Sequence, residues 1–415
     1  MCGDRKDGFR DAAACPGVGK QHLILLGCLV GGVLFAITVA TVVTVNGDYP
    51  FHIRVASAIT VNGLLHPFEF LKGNCYPVWH VLTWLMMKAF GCEGRTAAAF
   101  VSGACVVLTW LFALCYYARR NAGEEKSLLL VASVFLMLAA PIYLSFFNVC
   151  LVYGQWSPNI YQNPTHLMVR AVSLPCFMLY AAEFERIDGG SVRRLGIMRF
   201  LALFVLVLLA ALSKPSSIQV FVPAISLLLV YEAWKQGKSA IKPLSLLGLT
   251  LLPAVALCFL QFLVSFYGLQ EGANGIEVAF LKAWSGYSPC VPVSWFLATA
   301  FPLVMAAWAV RARRFAVQDA MAWLMLAFGL IEGALFAEKG PRAMHGNFLW
   351  GWALGLFFVW LVAMEKFISL VRVNADSGCA RGTRWWFRAA AAVLSIHVLS
   401  GVWYLWRYIM LRIYI

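Results

Sequence analysis

Residues 22–52, HLILLGCLVGGVLFAITVATVVTVNGDYPFH, join an unbroken apolar run to an exit that carries an acid, two aromatics and a histidine. The part from 22 to 46 has no Asp, Glu, Lys or Arg and exceeds the about 20 residues an α-helix needs to cross the hydrocarbon of a bilayer. A chain that leaves the membrane at Asn46-Gly47 sets the carboxylate of Asp48 at the bilayer surface, within reach of a membrane-bound substrate.

Outward from this stretch the apolar pattern recurs. Hydrophobic residues make up 62% of the 415, charged residues 13%, and the mean hydropathy is +0.77, values of a chain solvated by lipid rather than water. Eleven apolar runs are long enough to read as spans, near 22–46, 96–118, 127–147, 166–183, 200–213, 217–231, 243–267, 291–310, 319–336, 348–365 and 389–409. The expected fold is all-α: one polytopic integral membrane domain over 1–415. It has a cytoplasmic tail at 1–21, a first outer loop with interfacial helices at 46–95, and no separate soluble domain. The first 20 residues are polar and the run after them is longer than a signal h-region, so it should stay as an anchor. No fixed-period repeat or low-complexity tract argues for a different architecture.

The net charge of +14 does not point to nucleic acid, because the basic residues fall in short clusters between apolar runs and form no recognition motif. With the N-terminus inside, 22 of the 33 Lys and Arg lie in cytoplasmic segments, which fixes the expected orientation. Two places depart from simple spanning. Residues 76–90, YPVWHVLTWLMMKAF, are short for a free span, and inserting them would put Arg119-Arg120 outside, so they read as an interfacial helix. Ser213-Lys214-Pro215-Ser216-Ser217 breaks two short apolar runs, and backbone broken at membrane depth is tolerated only where it packs on protein or lines a wet cavity.

The twelve cysteines contain no CxxC and no zinc-ligand spacing. Cys75, Cys92, Cys150 and Cys290 fall on or near the outer side, which permits a disulfide such as Cys75 to Cys92. Positive charge on the outer side opposes the topology bias and calls for another purpose. Arg54 follows Asp48, Arg170 lies near the outer end of the fourth span, Lys214 is at the break, and Lys339, Arg342 and His345 share the stretch 338–345. Converging, they would make an anion pocket beside lipid, suited to a phosphate with an apolar tail; taken singly, each reads equally well as snorkelling to headgroups, except Arg170 and Lys214, which apolar sequence flanks on both sides.

Asn46-Gly47-Asp48-Tyr49-Pro50-Phe51-His52 followed by the helix at 76–90, together with Ala210-Ala211-Leu212-Ser213-Lys214-Pro215-Ser216, resembles the GT-C superfamily of membrane glycosyltransferases. These carry a catalytic acid in the first outer loop and a Lys-containing break between short spans. The resemblance implies sugar transfer from a polyprenyl-phosphate donor to a glycan, lipid or protein acceptor among membrane lipids. The expected place is the outer face of a bacterial plasma membrane. It casts Asp48 as the base that takes the acceptor's proton, and Arg342, Arg170 and Lys214, then Lys339 and His345, as cations for the departing phosphate. A single base opposite a phosphate leaving group implies inversion. Many members place a second acid beside the first; here Tyr49 follows Asp48 and the next carboxylate is Glu69, so no paired-acid motif supports a divalent metal and no cofactor is assigned.

Other readings stay open beside this one. Asp48 would serve equally as a helix cap or a partner of Arg54. His52, one helical turn on, reads as a substrate contact or as a satisfied packing histidine. Trp156, Tyr153, Tyr161 and Asn163 offer aromatic faces and an amide for a sugar, or belong to the interfacial aromatic belt. Glu332, inside a span, either pairs with a base such as Lys339 or carries protons in a coupled transporter or lipid flippase, the alternative function. Glycines spaced by four, Gly27/Gly31, Gly329/Gly333 and Gly351/Gly355, indicate close helix contacts.

Overall fold

A computed structural model describes residues 20–44, 47–144, 146–147, 154–188, 195–267, 275–375 and 380–412. The tail at 1–19, Cys150 and Tyr153 lie outside the described residues. In chain order the helices are α1 (Lys20–Thr44), α2 (Tyr49–Ser57), α3 (Val61–Leu64), α4 (Pro67–Gly73), α5 (Val78–Phe90), α6 (Gly94–Arg120), α7 (Lys126–Leu138), α8 (Pro164–Asp188), α9 (Ile197–Ser213), α10 (Ser216–Gln236), α11 (Lys238–Leu249), α12 (Leu252–Tyr267), α13 (Lys282–Ser285), α14 (Val291–Arg311), α15 (Val317–Leu335), α16 (Trp350–Ala375) and α17 (Arg381–Met410). The chain is thus nearly all-α. The exception among the described residues is a short antiparallel ribbon of β1 (Ile276–Val278) and β2 (Phe336–Glu338), with Ile276 opposite Glu338.

Among the described residues nine helical segments are long and apolar enough to cross a membrane, and Lys126–Leu138 and Ile197–Ser213 are shorter apolar helices. The protein is therefore read as a multi-pass membrane protein. The expected span at 127–147 is helical only to Leu138. Pro141 cannot continue a helix and disfavours helical backbone at Ala140, so the chain turns extended at Ala139. Its backbone is then satisfied from outside: Ile142 N–H donates to Leu297 O at 2.9 Å and Ser400 Oγ to Pro141 O at 2.6 Å.

The central element is α16, apolar on every side and buried along nearly its whole length, as an all-round hydrophobic helix must be. It packs on α15 through glycines. A Cβ on Gly329 would lie 2.4 Å from the backbone of Gly351, and one on Gly355 would lie 2.6 Å from Leu326 Cα, so a side chain at either would drive the helices apart. Gly27, by contrast, has nothing within 4 Å, because α1 lies at the periphery.

Ion pairs gather the helix ends expected inside. Glu183 near the end of α8 pairs with Arg186 and with Arg199 of α9, each at 2.5 Å, and Glu185 pairs with Arg120 of α6. Lys366 of α16 lies 3.0 Å from Asp319 of α15 and 2.9 Å from Glu365, and Arg372 lies 3.1 Å from Glu124. The opposite ends of the same helices carry the remaining polar constellation.

Candidate functional site

Asp48 occupies the N-cap position of α2, yet its side chain makes no capping bond, and it forms no ion pair with Arg54. Instead Asp48 Oδ2 accepts a hydrogen bond of 2.7 Å from Asn163 Nδ2, across 115 residues of chain. Gly47 favours the approach: a Cβ there would lie 3.0 Å from Gln162 Cβ and 3.1 Å from Gln162 O, so Gln162 would have to give by a few tenths of an ångström. Asp48 N–H donates to that same carbonyl at 3.3 Å, and Tyr404 OH of α17 holds Gln162 Oε1 at 2.7 Å. The acid is thus fixed by the segment just before α8, with Oδ1 left without a partner among the described residues.

Asn163 passes the connection on. Its Oδ1 accepts from His166 N–H at 2.8 Å and Thr165 Oγ1 at 2.9 Å, capping the start of α8, and from Lys214 Nζ at 3.3 Å. Lys214 also donates to Thr165 Oγ1 at 3.0 Å and sits 3.8 Å from the ring centroid of Trp350. It is there because Pro215 follows it. The chain leaves α9 at Ser213, runs extended through Lys214 and re-enters helix at Ser216, so the side chain emerges sideways between two helix ends, outside both. Burial lowers its pKa from 10.5 to about 7, opposed by the nearby carboxylate of Asp48.

Lys214 forms one wall of a cleft of about 150 Å³, with Arg342, Glu338, Gln219, Tyr76 and Trp350 among its other walls. Arg342 is placed by the ribbon: β2 ends at the buried Glu338, and the 3-10 turn Gly340–Arg342 returns the guanidinium to within 2.9 Å of that carboxylate. Asn347 Nδ2 holds the other Glu338 oxygen at 2.6 Å. Two cations on a partly dry cleft beside a free carboxylate oxygen can bind an anionic group and take a proton from a neighbour of it.

Lys214 and Arg342 line the cleft, Asp48 and Asn163 join it through the hydrogen bond to Lys214 without lining it, and the other expected residues have no such link. Arg170 is wholly buried and committed elsewhere: Nη1 donates to Pro158 O at 2.9 Å and Asn159 Oδ1 at 2.8 Å, and the guanidinium lies over Phe357 at 5.3 Å. His52 is the packing histidine. It shares a 2.9 Å Nδ1···Nε2 bond with His80, and burial first, then that neighbour, lowers its pKa well below the usual value. Burial likewise lowers His80 to about 4, so the pair is two neutral rings. Trp156 is fully buried behind Trp350, centroids 5.0 Å apart, and offers no face to a ligand. Arg54, Lys339 and His345 are exposed and line no wall of the cleft. Glu332 does not pair with Lys339; its Oε2 has no hydrogen-bond partner and lies against Gly351. Cys75 and Cys92 are not joined to each other in a disulfide.

Trp350, Glu338, Tyr76 and Gln219 are site residues that the sequence did not single out. Glu338 stands in the basic stretch 338–345, read there for its cations alone. Trp350 opens the most deeply buried of the long apolar helices, where an aromatic has no distinguishing signal. Among the described residues no group of three or more His, Cys, Asp or Glu stands close enough to hold a metal ion. Searches of protein-family models and of curated proteins find no match to this chain.

Proposed function

We propose that the protein is a membrane glycosyltransferase that moves a sugar from a polyprenyl-phosphate donor to an acceptor hydroxyl on the outer face of the membrane. The observation that carries this reading is the bonded chain Asp48–Asn163–Lys214 at the edge of the cleft that Arg342 completes. It links one carboxylate through Asn163 to a lysine that shares the cleft with Arg342.

In the reaction the acceptor oxygen forms a bond to the anomeric carbon as the bond from that carbon to the phosphate oxygen breaks. The acceptor's proton passes to Asp48 Oδ1, and the electron pair leaves with the phosphate. Asn163 holds Oδ2 and so points the free oxygen. Lys214 and Arg342 stabilise the charge that grows on the phosphate, with Trp350 fixing the ammonium from behind. Arg342 comes to the phosphate by exchanging its bond to Glu338, which then faces the sugar hydroxyls. One displacement opposite the leaving group inverts the anomeric centre.

The test is transfer of radiolabelled sugar from a panel of polyprenyl-phosphate donors in proteoliposomes. Asp48→Asn should lower turnover about 10²–10⁴-fold with donor binding retained, as for loss of a general base. Arg342→Ala should weaken donor binding as well as turnover. Absence of transfer with every donor, together with proton-dependent uptake abolished by Glu332→Gln, would establish the transporter instead; the unpaired Glu332 carboxylate is the observation that favours it.

A further inference from the structure

Helix α10 begins against the cleft: Lys214, Pro215, Ser216 and Gln219 line it, together with Arg342 from the turn after β2. The first turn of the helix is wound tightly on the residues before it. Ser217 N–H donates to Lys214 O at 3.1 Å, and Ile218 N–H and Gln219 N–H donate to Pro215 O at 2.9 and 3.3 Å. Of the first four N–H groups of the helix, this winding leaves that of Ser216. It stands at the positive end of a 21-residue helix, on a residue that lines the cleft.

Three serines flank Lys214-Pro215, and their hydroxyls differ. Ser213 Oγ donates to Leu209 O at 2.7 Å and Ser217 Oγ to Lys214 O at 2.9 Å, each turned back on nearby backbone. Ser216 Oγ has no hydrogen-bond partner among the described residues, although the residue is 5% exposed. Buried hydroxyls are normally paired, and this one belongs to the serine of the three that lines the cleft. A hydroxyl proton rotates to suit what arrives, so Ser216 can meet a ligand without a change of backbone.

The cations leave room for such a donor. The ammonium of Lys214 has three N–H bonds; Asn163 Oδ1 and Thr165 Oγ1 take two, and the ring of Trp350 covers a further side. Arg342 is engaged with Glu338 at 2.9 Å. An anion entering the cleft finds charge at Lys214, while Ser216 offers two unspent donors on one residue, its hydroxyl and its N–H.

We propose that Ser216 holds a nonbridging oxygen of the donor's phosphate through its hydroxyl and N–H, as the neutral half of a seat whose charged half is Lys214 and Arg342. This deepens the proposed transfer reaction and rests on it for the name of the occupant, since the phosphodiester of an ordinary phospholipid has the same chemistry. A nonbridging oxygen is charged both before and after the sugar departs. Ser216 therefore acts on donor binding more than on the chemical step.

The experiment uses the whole protein in phosphate-free maltoside micelles and a sugar-free diester, polyprenyl methyl phosphate, with affinity read by thermophoresis. Ser216→Ala should weaken binding about tenfold, the scale for one hydrogen bond to a charged group. Ser216→Cys, which keeps the shape and loses the strong donor, should do the same. Ser213→Ala should change affinity less than about twofold, because that hydroxyl is spent on backbone, and polyprenol should bind wild type and Ser216→Ala alike. Wild-type affinity in Ser216→Ala, or an equal loss for polyprenol, would overturn the proposal. Phosphatidylglycerol that competes as well as the polyprenyl diester, with the same dependence on Ser216, would give the seat to a bilayer phospholipid and overturn the donor as its occupant. In the transfer assay Ser216→Ala should raise the donor KM about tenfold with kcat changed less than about threefold; a fall in kcat at unchanged KM would count against a binding contact. No transfer from any donor by the wild type, with Ser216-dependent binding intact, would remove the transferase reading and leave the seat for a lipid-linked phosphate standing.

Discussion

At the scale of single residues the site turns on Lys214, an ammonium held by Asn163, Thr165 and the face of Trp350 with no carboxylate in contact. Because its folded pKa of about 7 lies below 10.5, the unfolded chain binds more protons between these values, and stability rises with pH across that window. The cost of burying the charge is fully present below about pH 7. A bound phosphate reverses the preference by favouring the ammonium. Binding of a polyprenyl-phosphate sugar, whose phosphodiester keeps one charge throughout, should therefore be tightest below about pH 7 and weaken by up to about tenfold per unit above it. Lys214→Arg should flatten the profile and Lys214→Met should weaken binding at every pH; a flat wild-type profile would show that Lys214 does not meet the phosphate. Lys214 was legible in the sequence because a lysine beside a proline between two apolar runs has few other uses. Its partner Trp350 was not, since which aromatic meets it depends on how α16 is docked.

At the scale of elements the segment from Gly154 to Asn163 works as a plug. The end of α7 leaves carbonyls without helical partners, and Asn159 Nδ2 donates to Leu136 O and Ala139 O at 2.7 and 2.9 Å while Tyr161 OH donates to Met137 O at 2.8 Å. Arg170 then clamps Asn159 from α8. So the arginine expected to hold a phosphate instead holds the segment that carries Asn163. Arg170→Met should lower stability by about 2 kcal/mol, the scale for leaving the buried acceptors Pro158 O and Asn159 Oδ1 unpaired, and reduce turnover through misplacement of Asp48. Donor affinity per folded molecule should change little, because the cations of the cleft stay in place. A large loss of donor affinity at unchanged melting temperature would return Arg170 to the phosphate. Sequence reasoning found the break at Pro215 and passed over the one at Pro141, since the residues after 141 remain apolar. An apolar run records where lipid or protein surrounds the chain, not whether the backbone is helical.

At the scale of the whole molecule the described structure sorts its charges by end. The ion pairs of Glu183, Glu185, Asp319, Glu365 and Glu124 join α6, α8, α9, α15, α16 and the turn between α6 and α7 at one end, and Asp48, Lys214 and Arg342 stand at the other. The paired end is the one whose loops the count of basic residues sets in the cytoplasm, so the fold and the charge bias agree on which helix ends belong together. His345 and Arg313 are both exposed, the first following the turn that carries Arg342 and the second between α14 and α15 near the ion pairs. With the site outside, His345→Cys should react with a membrane-impermeant maleimide on intact cells, and Arg313→Cys should react only after permeabilisation, with adducts assigned by peptide mass so that native thiols do not interfere. The reverse pattern would turn the cleft toward the cytoplasm. Labelling of both from one side would break the bundle order on which the shared end of the ion pairs depends.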